Sequence, residues 1–208
     1  MKLDHEESKL SNNDKLKNYI DAYLASDILG DELEVRFGTK HWNPITQIDF
    51  NNVIRKFKSL GFEIDNEQGS YHLNIQNEYS DPKTGHTKLS NIRTEVHDIH
   101  NIQKYCKTNS FDVEEIPEYI NFTQKTLKYI ENNKVFPIDY NDFQFRVNYK
   151  VEKKLSPRFA IVQNMLQSWN SNKKTFRLIK RFTLTHDRFP LRIDCSIVKS
   201  SKKYPKSN

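Results

Sequence analysis

"DELEVRFGTK", residues 31–40, carries the reading of the whole chain. Successive side chains of a strand point to opposite faces. Glu32, Glu34 and Arg36 therefore share one face, while Leu33, Val35 and Phe37, all good strand formers, take the other. Gly38 is placed to end the strand. Two carboxylates and a guanidinium on one face are either a solvated edge or the lining of a charged interior, and the other strands have to decide.

The same alternation recurs. In "NIRTEVHD", Arg93 and Glu95 oppose Ile92 and Val96. In "FRVNYKVE", Arg146, Asn148, Lys150 and Glu152 oppose Phe145, Val147, Tyr149 and Val151. In "FRLIKRF", Arg177 and Arg181 share a face with Ile179; in "LRIDCSIV", Arg192, Asp194 and Ser196 oppose Ile193, Cys195 and Ile197. A one-sided sheet showing polar residues to water accounts for such faces, and that reading stays open. The other reading is a barrel turned inside out, with apolar faces outward under helices and charged faces lining a lumen. Paired carboxylates there suit hard Mg²⁺ or Mn²⁺. The arginine fork suits phosphate oxygens. Each enclosed charge would have partners of the other sign.

The remaining sequence predicts a mainly antiparallel α+β chain. "NNDKLKNYIDAYLAS" reads as a helix capped by Asn12 or Asn13, with an apolar stripe of Leu16, Ile20, Tyr23 and Leu24. "NPITQIDFNNVIRKFKSLGF" reads as a second helix. Thr46 is its N-cap, Asp49 holds the capping-box position and Gly61 is its stop. Ile48, Val53, Phe57 and Leu60 lie near one side of it. "YHLNIQNEY" and "TKLSNIRTEVHD" flank the turn sequence "SDPKTGH" and predict a hairpin. "IHNIQKYCK" and "PRFAIVQNMLQSW" read as helices; "NFTQKTLKYI", "FQFRVNYKVEKKL", "KTFRLIKRFTLT" and "PLRIDCSIVKS" read as strands. No βαβ alternation appears, so about eight antiparallel strands with peripheral helices, forming a β tunnel or barrel, are expected. No linker stands out, and residues 1–208 read as a single domain with residues 1–11 loose.

Composition narrows the chemistry. The 208 residues contain only 5 glycines and no G-x-x-x-x-G-K-[ST] or G-x-G-x-x-G, which argues against those nucleotide-binding loops. The net charge of +6 favours a polyanionic partner, although Lys199, Lys202, Lys203 and Lys206 in the tail also fit a solvated run. Cys106 and Cys195 form no C-x-x-C pair, which suits a reducing compartment and offers no zinc site. His97 and His100 lack an evident third ligand and read as surface residues. No apolar run nears the roughly 18 residues of a membrane span, and no signal peptide opens the chain. A soluble intracellular protein is expected.

Taken in order, "ELEVRFG", "ITQIDFNNVIRKFKSLGF", "NIRTEV", "FRVNYKVEKKL", "KTFRLIKRFTL" and "LRIDCSIVKSS" resemble the N-terminal domain of viral mRNA capping enzymes, the tunnel-type, metal-dependent RNA 5′-triphosphatases of large DNA viruses. The resemblance runs from about residue 30 to residue 201. It implies a triphosphate tunnel metalloenzyme that removes the γ-phosphate of 5′-triphosphate RNA, the first step of capping. Glu32 and Glu34 match its first metal-binding glutamate pair. Arg93, Lys150, Arg181 and Arg192 match the triphosphate grip, with Arg36, Arg146, Arg177 and Lys180 as further basic candidates. Asp194 and Ser196 match the polar members of an R-x-D-x-[ST] strand, and Glu152 is a fourth acidic candidate. It further implies Mg²⁺ or Mn²⁺, a guanylyltransferase domain in the same full-length protein, and action in the viral factory, host cytoplasm or virion.

Two features depart from the pattern. Where the family shows K-x-R, this chain reads Ile179-Lys180-Arg181, and alternation puts Lys180 outside unless a bulge turns it inward. A second E-x-E strand, expected after "SIVKSS", is missing, so a truncated chain lacking its last strand is expected. Two rivals remain: a tunnel phosphohydrolase of free nucleoside triphosphates or polyphosphate, and a non-catalytic basic barrel that binds RNA. The second needs exposed aromatic platforms. Phe145, Tyr149, Phe176 and Phe182 instead fall on apolar strand faces.

Overall fold

The computed structural model describes residues 10–38, 45–111, 116–142 and 144–202. Its elements run, in chain order, α1 (Asn12–Leu24), β1 (Asp31–Phe37), α2 (Gln47–Ser59), β2 (Glu63–Ile64), β3 (Ser70–Ser80), β4 (Thr87–Leu89), β5 (Ile92–His97), α3 (Ile99–Thr108), β6 (Ile120–Leu127), β7 (Tyr129–Ile130), β8 (Asn133–Lys134), β9 (Ile138–Tyr140), β10 (Phe145–Leu155), α4 (Ala160–Gln167), β11 (Lys174–His186) and β12 (Phe189–Ser201). The mainly antiparallel α+β class is the one predicted. Strands outnumber the expected eight or so because two- and three-residue pairings (β2, β4, β7, β8, β9) carry too little pattern to be seen in sequence. The expectation for residues 1–11 lies mostly outside the described residues, as do Lys203 and Lys206.

The chain divides into two compact units, one of residues up to Ile45 with Lys125–Lys153, the other Thr46–Gln124 with Lys154 onward. In the first, β1 pairs antiparallel with β10, which also pairs with β9. Tyr19, Val135, Ile138, Val147 and Tyr149 form its core, joined by Leu16, Leu33 and Phe145. Ser11, not Asn12 or Asn13, caps α1 by accepting from the Asp14 amide at 3.2 Å. The buried residue of α1 is Tyr19, whose hydroxyl reaches the Phe136 carbonyl at 2.9 Å; Leu24, placed in the predicted stripe, is exposed.

In the second unit β6, β5, β3, β11 and β12 pair in that order, all antiparallel. Its core gathers Leu73, Ile75, Val96, Phe122 and Phe176 from one sheet face with Ile102, Tyr105, Val162, Leu166 and Trp169 from α3, α4 and the turn after it. Thr46 and Asp49 make the predicted capping box on α2, and Gly61 follows its end at φ 92°. The predicted stripe of α2 is not a buried one. Ile48, Val53 and Leu60 are exposed, while Phe50 packs edge-on to Phe182 and Phe57 to Phe62. No helix among the described residues is long and apolar enough to cross a membrane. Cys106 and Cys195 are both unbridged.

Candidate active site

The registers decide which predicted residues share a face. In the first unit Glu32 stands opposite Lys150, Glu34 opposite Asn148 and Arg36 opposite Arg146. Cross-strand partners point the same way. Glu32, Glu34, Arg36, Arg146, Lys150 and, by the same parity, Glu152 thus occupy one face of β1 and β10, as the alternation predicts. Arg36 pairs with Glu34 at 2.5 Å. Arg146 is tied in two-pronged fashion to Asp139, at 2.7 and 2.9 Å, near solvent.

Lys125, at the end of β6, escaped the sequence reading and holds this face together. Its Nζ lies 2.7 Å from Glu32 and 2.7 Å from Glu152. Burial alone would lower its pKa, but the two carboxylates outweigh that and hold the ammonium above the ordinary lysine value. The sequence offered one clue: Lys125 falls at the polar parity of "NFTQKTL", with Asn121 and Thr123. Gly30 fixes where Glu152 stands. The Glu152 amide donates to the Gly30 carbonyl at 2.8 Å, Gly30 has φ 98°, and a Cβ there would run into the Glu152 carbonyl oxygen.

Asp31 belongs to the opposite face. It is almost fully buried with Lys128, at 2.5 Å, and accepts from the Tyr149 hydroxyl at 2.7 Å. Burial pushes its pKa up, but the hydrogen bonds from Lys128, Ser26 and Tyr149 win and leave it below the ordinary carboxylate value. This ion pair braces β1 from behind.

In the second unit one face of the sheet carries Asn121, Thr123, Arg93, Glu95, Asn74, His72, Arg177, Arg181, Thr183, Asp194, Arg192 and Ser196. Asp194 organises its far end. It takes Arg192 Nε at 3.0 Å, the Thr183 hydroxyl at 2.8 Å and Arg181 at 3.5 Å. Ser196 stands opposite Arg181 in the register. Arg93 and Glu95 pair at 2.6 Å, both largely buried. A pocket of about 460 Å³ is lined by Arg181, Arg192, His72, Ser70, Thr183, Thr185 and Asp65. Arg181 Nε is buried with no hydrogen-bond partner among the described residues, so the pocket keeps an unused guanidinium donor.

One placement follows strict alternation and one corrects the sequence reading. Lys180 lies on the opposite face from Arg181, over the rings of Tyr71 (5.4 Å) and Phe182 (5.3 Å); the β11–β12 ladder slips only at Thr185/His186, so nothing turns it inward. His97, read as a surface residue, is half-buried, and its Nδ1 meets His72 Nδ1 at 2.9 Å.

The donor set on the first unit's acidic face is all oxygen, which fits Mg²⁺ or Mn²⁺. No three His, Cys, Asp or Glu side chains among the described residues converge on one point.

No family model matches the chain, and no curated protein does. Among solved structures the chain is similar to the triclinic form of the Mimivirus capping enzyme triphosphatase, with a TM-score of 0.56 and 15% identity over 93% of this chain and 81% of that one. At that identity the likeness is one of fold: the chain has the fold of a viral capping enzyme triphosphatase.

Proposed function

We propose that this chain is a metal-dependent RNA 5′-triphosphatase that removes the γ-phosphate from 5′-triphosphate RNA in mRNA capping. The observation that carries the proposal is the carboxylate face of β1 and β10, where Glu32 and Glu152 already converge on one cationic atom. Such a face is arranged for positive charge. Glu32 and Glu34 would hold Mg²⁺ or Mn²⁺, and the ion would supply positive charge against the negative charge that develops on the phosphate. Glu152, fixed by Lys125, is the candidate to orient the attacking water. Arg93, Lys150, Arg177, Arg181 and Arg192 are the candidate phosphate ligands, and Asp194 sets the direction of two of them. Arg36 and Arg146 are engaged with Glu34 and Asp139, which suits a supporting role. Lys180 drops out.

The fold likeness to a capping enzyme triphosphatase supports this reading, as does the net charge of +6. The same reading carries a guanylyltransferase domain as partner and the site of viral transcript capping as the place of action. A second reading, hydrolysis of free nucleoside triphosphates or polyphosphate, draws on the same residues, because every group named recognises phosphate and none a base.

The test is phosphate release from γ-labelled 5′-triphosphate RNA with Mg²⁺ or Mn²⁺, beside free nucleoside triphosphate and tripolyphosphate. Metal-dependent release from RNA, lost by about a hundredfold or more in Glu34→Ala, is expected. Release from tripolyphosphate but not RNA would favour the second reading. Turnover that survives Glu34→Ala would overturn the metal assignment.

A further inference from the structure

The second unit's pocket contains a feature that phosphate grip by arginines does not need. His72 Nδ1 and His97 Nδ1 are 2.9 Å apart, and the bond between them holds one proton. The surrounding hydrogen bonds fix its direction. The Asn121 amide nitrogen donates to His97 Nε2 at 2.9 Å, so His97 carries its proton on Nδ1 and gives it to His72. His72 then carries its own proton on Nε2, 2.9 Å from Ser70 Oγ, and the Ser70 hydroxyl donates to the Arg181 carbonyl at 3.4 Å. The wire runs from Asn121 on β6 to Arg181 on β11, and His72 and Ser70 line the pocket that contains Arg181 and Arg192.

In this state the pair is neutral. The proton that charges the pair enters at His97 Nε2, with the Asn121 amide turning its oxygen inward; Glu95 Oε2 stands 3.8 Å away to balance it. Charged groups from several elements stand around the pair among the described residues. Arg93 and Glu95 come from β5 and Asp98 from its end, Lys180 and Arg181 from β11, Arg192 and Asp194 from β12, and Asp65 from beyond β2. Burial, then His97, Arg181 and Arg192, hold His72 down to about 4, with Asp194 working the other way.

We propose that the His72–His97 pair makes phosphate binding in this pocket proton-coupled: a bound phosphate anion draws one proton from solvent onto the pair through His97 Nε2. His72 is the member facing the ligand, and His97 is a positioning residue that acts through it. The physical cause is the pocket's own charge. Arg181 and Arg192 oppose a further positive charge on His72, only partly offset by Asp194 and by Asp65 on the pocket wall; a polyphosphate bound to the two guanidiniums turns the local balance negative and favours it. The inference rests on the reading of this face as a phosphate site.

Isothermal titration calorimetry with metal-free tripolyphosphate, between pH 5 and 8 in buffers of different ionisation enthalpy, counts the protons taken up. Wild type should take up as much as about one proton per ligand towards the acid end, and its affinity should fall by up to about tenfold per pH unit across that window. His72→Asn and His97→Asn should bind with a flatter pH profile and little uptake. The ligand's own titration is common to all three proteins and cancels. Binding by wild type without uptake, or uptake unchanged in both variants, overturns the coupling alone. No binding of tripolyphosphate at any pH overturns the coupling and the phosphate reading together.

Discussion

The ammonium of Lys125 sits 2.7 Å from Glu32, on the acidic face that β1 and β10 present. It also reaches Glu152, so one lysine neutralises two carboxylates that would otherwise face each other. Lys125→Met should therefore lower the melting temperature in metal-free buffer, by a cost of about 1–3 kcal/mol. Mn²⁺ should raise the melting temperature of the variant more than that of wild type, since a divalent ion can replace the lost charge. Thermal unfolding with and without metal checks this; equal metal shifts in both proteins would mean that Glu32, released from Lys125, does not bind the ion.

Asp31 and Lys128 make the same kind of bond in a drier place, with side chains 5% and 8% exposed. Asp31→Asn leaves Lys128 buried without its counter-charge and should cost about 3–5 kcal/mol. The folded pKa of Asp31 is lowered, so its contribution is present above the ordinary carboxylate value and is lost as pH falls through the folded one. That of Lys128 is raised, so its contribution is present below the ordinary lysine value and is lost as pH rises through the folded one. The stability gap between wild type and Asp31→Asn should be flat from about pH 5 to 9 and close below about pH 4. Denaturant melts across that range measure it, and a gap that widens in acid would contradict the pairing.

Arg181 and Lys180 are neighbours in sequence and on opposite faces in the structure. Arg181→Ala should weaken tripolyphosphate binding by about tenfold or more, the worth of a charge-assisted hydrogen bond. Lys180→Ala should leave that affinity within about twofold and show its effect in stability, through the lost contacts with Tyr71 and Phe182. Binding titrations of the two variants decide it, and an equal loss in both would put Lys180 back in the site.

The Thr46–Asp49 capping box is a local device that closes the first turn of α2 and touches none of the proposed phosphate or metal ligands by hydrogen bond. Thr46→Ala should lower the melting temperature by about 2–4 °C. Phosphate release should not change. A drop in turnover at unchanged stability would tie α2 to the site.

The capping box was legible because its signal is local: two side chains three residues apart, with a glycine stop. Strand faces were legible for the same reason, since parity along "ELEVRF" or "FRVNYKVE" needs no tertiary information. Lys125 was not, because what singles it out is the meeting of β6 with two glutamates 93 and 27 positions away. The His72–His97 pair lies 25 residues apart and exists only through the β3–β5 register. The Lys180 question was posed by sequence and needed a ladder to answer it. On α2, helical spacing placed Ile48, Val53, Phe57 and Leu60 near one side but carried no information on whether that side is covered, and Ile48, Val53 and Leu60 are exposed.

Gly30 has no side chain to offer the chemistry, yet it sets the place of Glu152 by letting two backbones touch. A saturation screen for phosphate release would then find position 30 nearly as intolerant as position 32, and for a different cause. At Glu32 the loss would follow charge, with Asp the mildest replacement. At Gly30 it would follow volume and handedness, with Ala already damaging. The two profiles would tell chemistry from carpentry at residues two apart in the chain.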